Sequence, residues 1–178
     1  MKLYLVRHGE TDWNRANKVL GRTDIPLNET GRRQAKQLAE RLSGIPLNLI
    51  YTSPLSRAVQ TGQTIAEKQL TCGCRAESRL IEQDFGVFEG VPRDDPSYQA
   101  EKRNYFRRYP GGESYFDVVA RVYPFLYQMR DTAGEDKKVL IVTHGGICRI
   151  ITNYFQEMSN EEFASFTMRN CEIREFTL

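Results

Sequence analysis

The order of segments predicts an α/β fold: a three-layer α/β/α sandwich with a mostly parallel central sheet, one antiparallel edge strand and a small inserted cap. Three observations predict it. Short apolar runs alternate with segments of helical periodicity along most of the 178 residues. Two of those runs stop abruptly in the same dipeptide, at Arg7-His8-Gly9 and at Thr143-His144-Gly145. The alternation breaks over residues 79–112, where Gly86, Gly90, Pro92, Pro96, Pro110, Gly111 and Gly112 are interspersed with aromatic and basic residues. Such a segment is expected to be an insertion of loops and short helix.

Residues 2–7 form a continuous apolar run and are expected to be a buried strand. Residues 11–27, with Gly21, Asp24 and Pro26, are loop-like. Ala35, Leu38, Ala39 and Leu42 follow the i, i+3, i+4, i+7 spacing of an amphipathic helix, which Asn28 caps and Gly44 stops. A second apolar run spans 47–53, and Ser53-Pro54 signals a helix start, cap then first-turn proline, continuing to about Glu67. A strand is expected around Cys74–Glu77 and a helix from Ser114 to about Thr132, with Asp117 in its first turn. The apolar run of 137–144 is followed by a helix from Gly146 to Phe155, then by a capping box at Ser159…Glu162 and a final alternating edge strand over 171–178.

The length fits one domain, 1–178, with the insertion as a subdomain. A net charge of +2 is too small to point to a nucleic-acid or membrane partner, and no apolar run approaches the roughly 20 residues of a membrane helix. The N-terminus lacks the apolar core of a signal peptide, so a cytoplasmic protein, monomer or homodimer, is expected. Cys72-Gly73-Cys74 has the wrong spacing for a zinc knuckle, and with Cys148 and Cys171 these residues are expected to be reduced thiols.

The chain's only two histidines, His8 and His144, both end apolar strands and both precede glycine. Ligands of parallel sheets bind at strand carboxyl ends. A glycine there lets the backbone approach a ligand and point a peptide N–H at it. Arg7 adds a permanent cation with two parallel donors, and Arg57 lies in the first turns of the helix opened by Ser53-Pro54. Two arginines and two histidines outline a pocket for a dianion, and phosphate is the natural candidate.

In order and spacing, LVRHGETDWN at 5–14, DIPLNETGRRQA at 24–35, YTSPLSRAVQTGQTIA at 51–66, LIEQDFGVFEG at 80–90, PGGES at 110–114 and VTHGG at 142–146 resemble the histidine phosphatase superfamily, in its phosphoglycerate mutase-like branch. The resemblance runs nearly end to end. It implies that His8 is a nucleophile that becomes phosphohistidine, with Arg7, Arg57 and a protonated His144 completing the phosphate pocket. It implies further ligands in Asn14 and the Gly145 backbone, with Gly9 and Gly21 in the substrate-binding loops. Glu82 matches the proton donor of the L-x-E-x-x-x-G motif, although Asp84 and Glu89 stand close to it in sequence. No metal and no cofactor are expected, since arginines supply the charge. Leu20 stands where the family often has Gln, and Phe88 where Trp is commoner; the first bears on substrate preference more than on chemistry.

The reading that follows is a metal-independent phosphomonoester hydrolase for a small phosphorylated metabolite. Its rivals are a cofactor-dependent phosphoglycerate mutase, an alpha-ribazole phosphatase and a non-catalytic phosphate binder. The modest spacing between Glu82 and Ser114 favours hydrolysis over mutase chemistry. Arg103, Tyr105, Phe106, Arg107, Arg108 and Tyr109 offer either a solvated basic face or contacts to the rest of the substrate.

Overall fold

The computed structural model describes residues 1–69, 72–132, 134 and 136–177. Its centre is a five-stranded sheet in the order β3-β2-β4-β1-β5, built from β1 (Lys2–Arg7), β2 (Leu49–Thr52), β3 (Gly73–Ala76), β4 (Lys138–Thr143) and β5 (Ile173–Thr177). All neighbours are parallel except β5, which runs antiparallel to β1 at the edge.

Alternation along the inner strands divides the core between two faces. Leu3, Leu5, Val139 and Ile141 pack against α5 (Tyr115–Thr132) and α6 (Gly145–Phe155). Tyr4, Val6, Leu140 and Val142 pack against α2 (Glu29–Leu42) and α3 (Ser56–Ala66). Both faces of the central strands are therefore apolar, as a covered parallel sheet requires. The chain runs outward from β1 to β3 with α2 and α3 on one face, then returns to β4 and β5 with α5 and α6 on the other. Its direction reverses between β1 and β4, which is where open α/β sheets leave a crevice.

Most element ends shift by a residue or two from the sequence reading, residue 178 of the expected last strand lies outside the described residues, and two differences bear on the site. Residues 11–27 contain a short helix, α1 (Asp12–Arg15), because Thr11 Oγ1 accepts the Asn14 N–H while Thr11 N donates to Asn14 Oδ1. Helix α3 starts at Ser56, not at Ser53-Pro54, and Leu55 at its cap position makes no side-chain cap bond. Ser53 is engaged elsewhere, as described below. The insertion holds two short 3-10 turns, Ser78–Leu80 and Gly86–Phe88, and α4 (Pro96–Glu101). It has a small core of its own, in which Phe85, Tyr98 and Tyr109 pack against Val19. A last short helix, α7 (Asn160–Ser165), opens with the expected Ser159 capping box.

Candidate active site

The register of β1 on β4 pairs Arg7 with Thr143, so His8 and His144 leave adjacent parallel strands side by side. His8 N donates to Thr143 O at 2.9 Å and extends the ladder by one residue. The two imidazole centroids are 5.1 Å apart. His8 Nδ1 lies 2.7 Å from the Gly9 carbonyl oxygen. A carbonyl only accepts, so Nδ1 carries the proton and Nε2 is the bare nitrogen. Burial holds the ring's pKa well below its ordinary value, and the Arg57 and Arg7 charges lower it further. Sequence reasoning gave the Gly9 N–H to a ligand, but it donates to Thr61 Oγ1 at 3.1 Å. A Cβ at Gly9 would stand 2.6 Å from Gly31 O, so this glycine serves close packing and the orientation of His8.

Arg57 is fully buried. It donates through Nη2 to Gly21 O at 2.6 Å, through Nη1 to Thr23 O at 2.8 Å and through Nε to His144 Nδ1 at 3.2 Å. Burial lowers its pKa to about 10, so it remains a cation at neutral pH. A guanidinium N–H only donates, so His144 Nδ1 must accept and the proton lies on Nε2, 2.6 Å from Ser53 Oγ. His144 is thus neutral, not protonated as the sequence suggested. Burial, followed by the charge of Arg57, keeps its pKa well below the ordinary value. His144 stands behind the cavity wall, with both ring nitrogens engaged.

Arg7 reaches back through Nη1 to Met168 O at 2.6 Å, while its buried Nε has no partner. A Cβ at Gly145 would approach that Nε to 3.8 Å, so the first turn of α6 lies against the guanidinium. Asn14 uses its amide oxygen for Thr11 N and receives Asn170 Nδ2 at 3.4 Å on the same atom, which leaves its NH2 group for the cavity. Asn170 Nδ2 also donates to His8 O at 2.8 Å. It was not singled out from sequence, because it lies 162 residues from His8 and belongs to no motif there.

Glu82 is buried at the N-terminus of α6. Its Oε1 accepts from Gln83 N at 3.0 Å and its Oε2 from Gly146 N at 3.2 Å. Its backbone carbonyl is gripped by Arg121 Nη2 at 3.2 Å and Arg22 Nε at 3.4 Å. Glu113 ties those two arginines together, at 2.6 Å to Arg22 and 3.2 Å to Arg121. The neighbouring acids are occupied away from His8. Glu89 accepts from Arg22 N, Thr23 N and Phe85 N, and Asp84 Oδ1 accepts from Gly86 N. Gly21 has φ +56°, and a Cβ there would collide with the Glu89 carboxylate at 1.9 Å, so glycine is required for this loop to reach Arg57.

Arg7, His8, Asn14, Gly21, Arg57, Glu82 and Gly145 all line one cavity of about 140 Å³. Arg93, Lys102 and Arg149 line it as well and were missed, since no single stretch of sequence brings them together. The run singled out in their place faces outward or packs elsewhere: Arg107 pairs with Glu101 at 2.5 Å, Arg108 pairs with Asp117 at 2.7 Å, and Tyr109 is buried in the insertion's core. Among the described residues, no three His, Cys, Asp or Glu side chains gather in a way that could hold a metal ion.

At the reversal point of the sheet a bare imidazole nitrogen shares one cavity with the half-buried Arg7 and the fully buried Arg57, the equipment of an anion-binding α/β protein. The chain belongs to the histidine phosphatase superfamily (branch 1), whose family model matches residues 3–178. It is 35% identical over 175 residues to an uncharacterized phosphatase, PhoE, of Bacillus subtilis, covering 96% of this chain and 88% of that one. It is 33% identical to a probable phosphoglycerate mutase, GpmB, of Cronobacter sakazakii, covering 97% and 83%. A mycobacterial glucosyl-3-phosphoglycerate phosphatase in complex with VO3 superposes with a TM-score of 0.85 at 30% identity, covering 98% of this chain and 90% of that one.

Proposed function

We propose that this protein is a metal-independent phosphomonoester hydrolase that acts on a small phosphorylated metabolite through a phosphohistidine at His8. The observation that carries the reading is the Nδ1–Gly9 hydrogen bond, which leaves Nε2 unprotonated at a cavity lined by Arg7 and Arg57. Nε2 attacks phosphorus in line with the ester oxygen. The N–P bond forms as the P–O bond breaks, and charge on the equatorial oxygens is met by Arg7, Arg57 and the Asn14 NH2. Glu82 gives its proton to the leaving alkoxide. A water then attacks the phosphohistidine and passes its proton to Glu82, the N–P bond breaks, and inorganic phosphate leaves.

The arginines take the place a metal would have in neutralising the phosphate, and His8 Nδ1 and both ring nitrogens of His144 are bound to protein groups. His144 fixes Arg57 through Nδ1 and keeps a neutral ring beside the nucleophile. Hydrolysis rather than transfer is supported by the short insertion between Glu82 and Ser114 and by the phosphatases among the relatives. The setting we propose is the cytoplasm, since the four cysteines are unpaired and no described helix is long and apolar enough to cross a membrane.

The test is product balance. With propyl phosphate or p-nitrophenyl phosphate, one inorganic phosphate should appear per alcohol. With 3-phosphoglycerate and catalytic 2,3-bisphosphoglycerate, little 2-phosphoglycerate should form. Rapid isomerisation without phosphate release would replace hydrolysis by mutase chemistry.

A further inference from the structure

The turn that leads into β5 reaches the nucleophile from behind. β5 runs antiparallel to β1 with Ile173 opposite Val6, so the residues just before it lie beside the carboxyl end of β1, where Arg7 and His8 leave the sheet. Arg169 and Glu172 close the turn: Arg169 N donates to Glu172 Oε2 at 2.8 Å, and Glu172 N donates to Arg169 O at 3.0 Å. Between them the buried Cys171 has φ +55°, a left-handed conformation that residues with a Cβ rarely adopt. Such strain persists only where the surroundings hold it, and it gathers at functional sites. Here the turn brings Cys171 N to Arg7 O at 2.9 Å and Met168 O to Arg7 Nη1 at 2.6 Å.

Asn170 is the side chain that this turn sends towards the site. It is half-buried and stands behind the cavity wall, not in it. Its hydrogen bonds fix one another's direction in sequence. His8 O is a carbonyl and only accepts, so the Asn170 atom 2.8 Å from it is the amide nitrogen. That nitrogen lies 3.4 Å from the Asn14 amide, so the Asn14 atom facing it is the oxygen. Thr11 N donates to the same oxygen at 3.1 Å, and Thr11 Oγ1 lies 3.2 Å from it. Turning the Asn14 amide over would set its NH2 against two N–H donors, Asn170 Nδ2 and Thr11 N. The Asn14 NH2 is therefore held towards the cavity, where a phosphate oxygen can accept from it.

We propose that Asn170 is a positioning residue of the phosphate pocket: anchored on the His8 carbonyl, it acts through Asn14, whose NH2 it keeps aimed at the phosphate. The role rests on the phosphomonoesterase reading above and deepens it. Asp at this position separates the role from mere packing. It has the shape of Asn but, ionised, only accepts. It would face two acceptors, His8 O and Asn14 Oδ1, and Asn14 would relieve the second only by turning its own oxygen towards the phosphate. A side chain that merely fills space gives the opposite order, since Asp fills the space and Ala does not.

The test measures affinity for inorganic phosphate by calorimetry and kcat/KM for p-nitrophenyl phosphate in Asn170→Ala and Asn170→Asp, with thermal unfolding to show that each folds. Asn170→Ala should weaken phosphate binding by about threefold to tenfold, because Thr11 still holds the Asn14 oxygen. Asn170→Asp should weaken it by about a hundredfold, and kcat/KM should fall in the same order. The new charge also repels phosphate directly, so both substitutions are repeated together with Asn14→Ala. There the Asn170→Asp penalty should shrink to about tenfold or less, because no amide is left to turn. Asn170→Asp binding phosphate as well as Asn170→Ala does, or a penalty undiminished beside Asn14→Ala, overturns the role. If Asn170→Asp does not fold, Asn170→Ala decides: its loss should vanish beside Asn14→Ala, and an unchanged loss overturns the role. The phosphate titration keeps the two readings apart. The expected order in binding, without turnover of any phosphomonoester by the wild type, would remove the hydrolase and leave the positioning role. Turnover that neither substitution impairs would do the reverse.

Discussion

Glu82→Gln keeps the shape of the side chain and removes the proton assigned to the leaving group. The consequences can be worked out from its two hydrogen bonds. Both carboxylate oxygens accept backbone N–H groups, from Gln83 and from Gly146. A Gln side chain has one oxygen, so one of those amides would face an NH2 group instead. Leaving one buried donor unpaired costs about 1–3 kcal/mol. At about 2–4 °C per kcal/mol for a chain of this size, the unfolding midpoint should fall by about 2–12 °C. Activity should split by leaving group. Propyl phosphate expels a basic alkoxide, and kcat/KM should fall by about 10²–10⁴, the usual contribution of a positioned general acid. Para-nitrophenolate leaves without a proton, so p-nitrophenyl phosphate should lose less than about tenfold. Gly146→Ala provides an independent check, because its Cβ would stand 2.7 Å from Glu82 Oε1 and push the carboxylate aside. It should reproduce the split with the acid still present. Equal slowing of both substrates by Glu82→Gln would refute the proton-donor role.

Stability should depend on pH through the two histidines. Both are held neutral in the fold, with pKa values well below the ordinary 6.5 that the unfolded chain retains. Below about pH 6.5 the unfolded state binds more protons, so stability present above that pH is lost as the pH falls, by up to about 1.4 kcal/mol per pH unit for each histidine. Urea unfolding at pH 7, 6 and 5 should show this slope, and His8→Asn should flatten it; an unchanged slope would mean His8 is not buried neutral. Ser53→Ala removes the acceptor of the His144 Nε2 proton and should cost about 1–3 kcal/mol in the same assay, with no loss if His144 has another partner. Gly21→Ala should raise KM and lower stability, because the loop must retreat from Glu89 and take the acceptor of Arg57 with it, and wild-type kinetics would contradict that coupling. Treatment with EDTA should leave phosphatase activity intact; loss restored by magnesium or zinc would place a metal in the pocket.

The layers and the site's centre were legible because they rest on local signals. β1 and β4 are apolar runs, and a shared His-Gly ending predicts that their carboxyl ends meet, which the Arg7–Thr143 register accomplishes. Asn28 caps α2 as its side chain suggests, accepting from Gly31 N at 2.8 Å. The misread points are those where a local signal was overridden by a distant partner. Ser53-Pro54 has the form of a helix start, but the Ser53 hydroxyl is claimed by His144, 91 residues away, and α3 begins three residues later. Helix α1 was hidden because its capping box is closed by Asn14 where Glu or Gln would be expected. The protonated His144 expected from the resemblance gives way to a neutral ring, because Arg57 Nε needs an acceptor there. The insertion's basic run drew attention by its density, yet its exposed arginines are neutralised within the chain. The cavity's extra cations, Arg93, Lys102 and Arg149, come singly from separated segments and leave no pattern to find.

The covalent intermediate gives the most direct test. The protein is mixed with 32P-labelled propyl phosphate, quenched within milliseconds, and the label assayed for stability and mapped by peptide mass spectrometry. Acid-labile, base-stable phosphate on His8, formed at a rate no slower than turnover and missing from His8→Ala, is the expected result. Label that survives in His8→Ala, or that maps to His144, would contradict the assignment of His8 as the nucleophile.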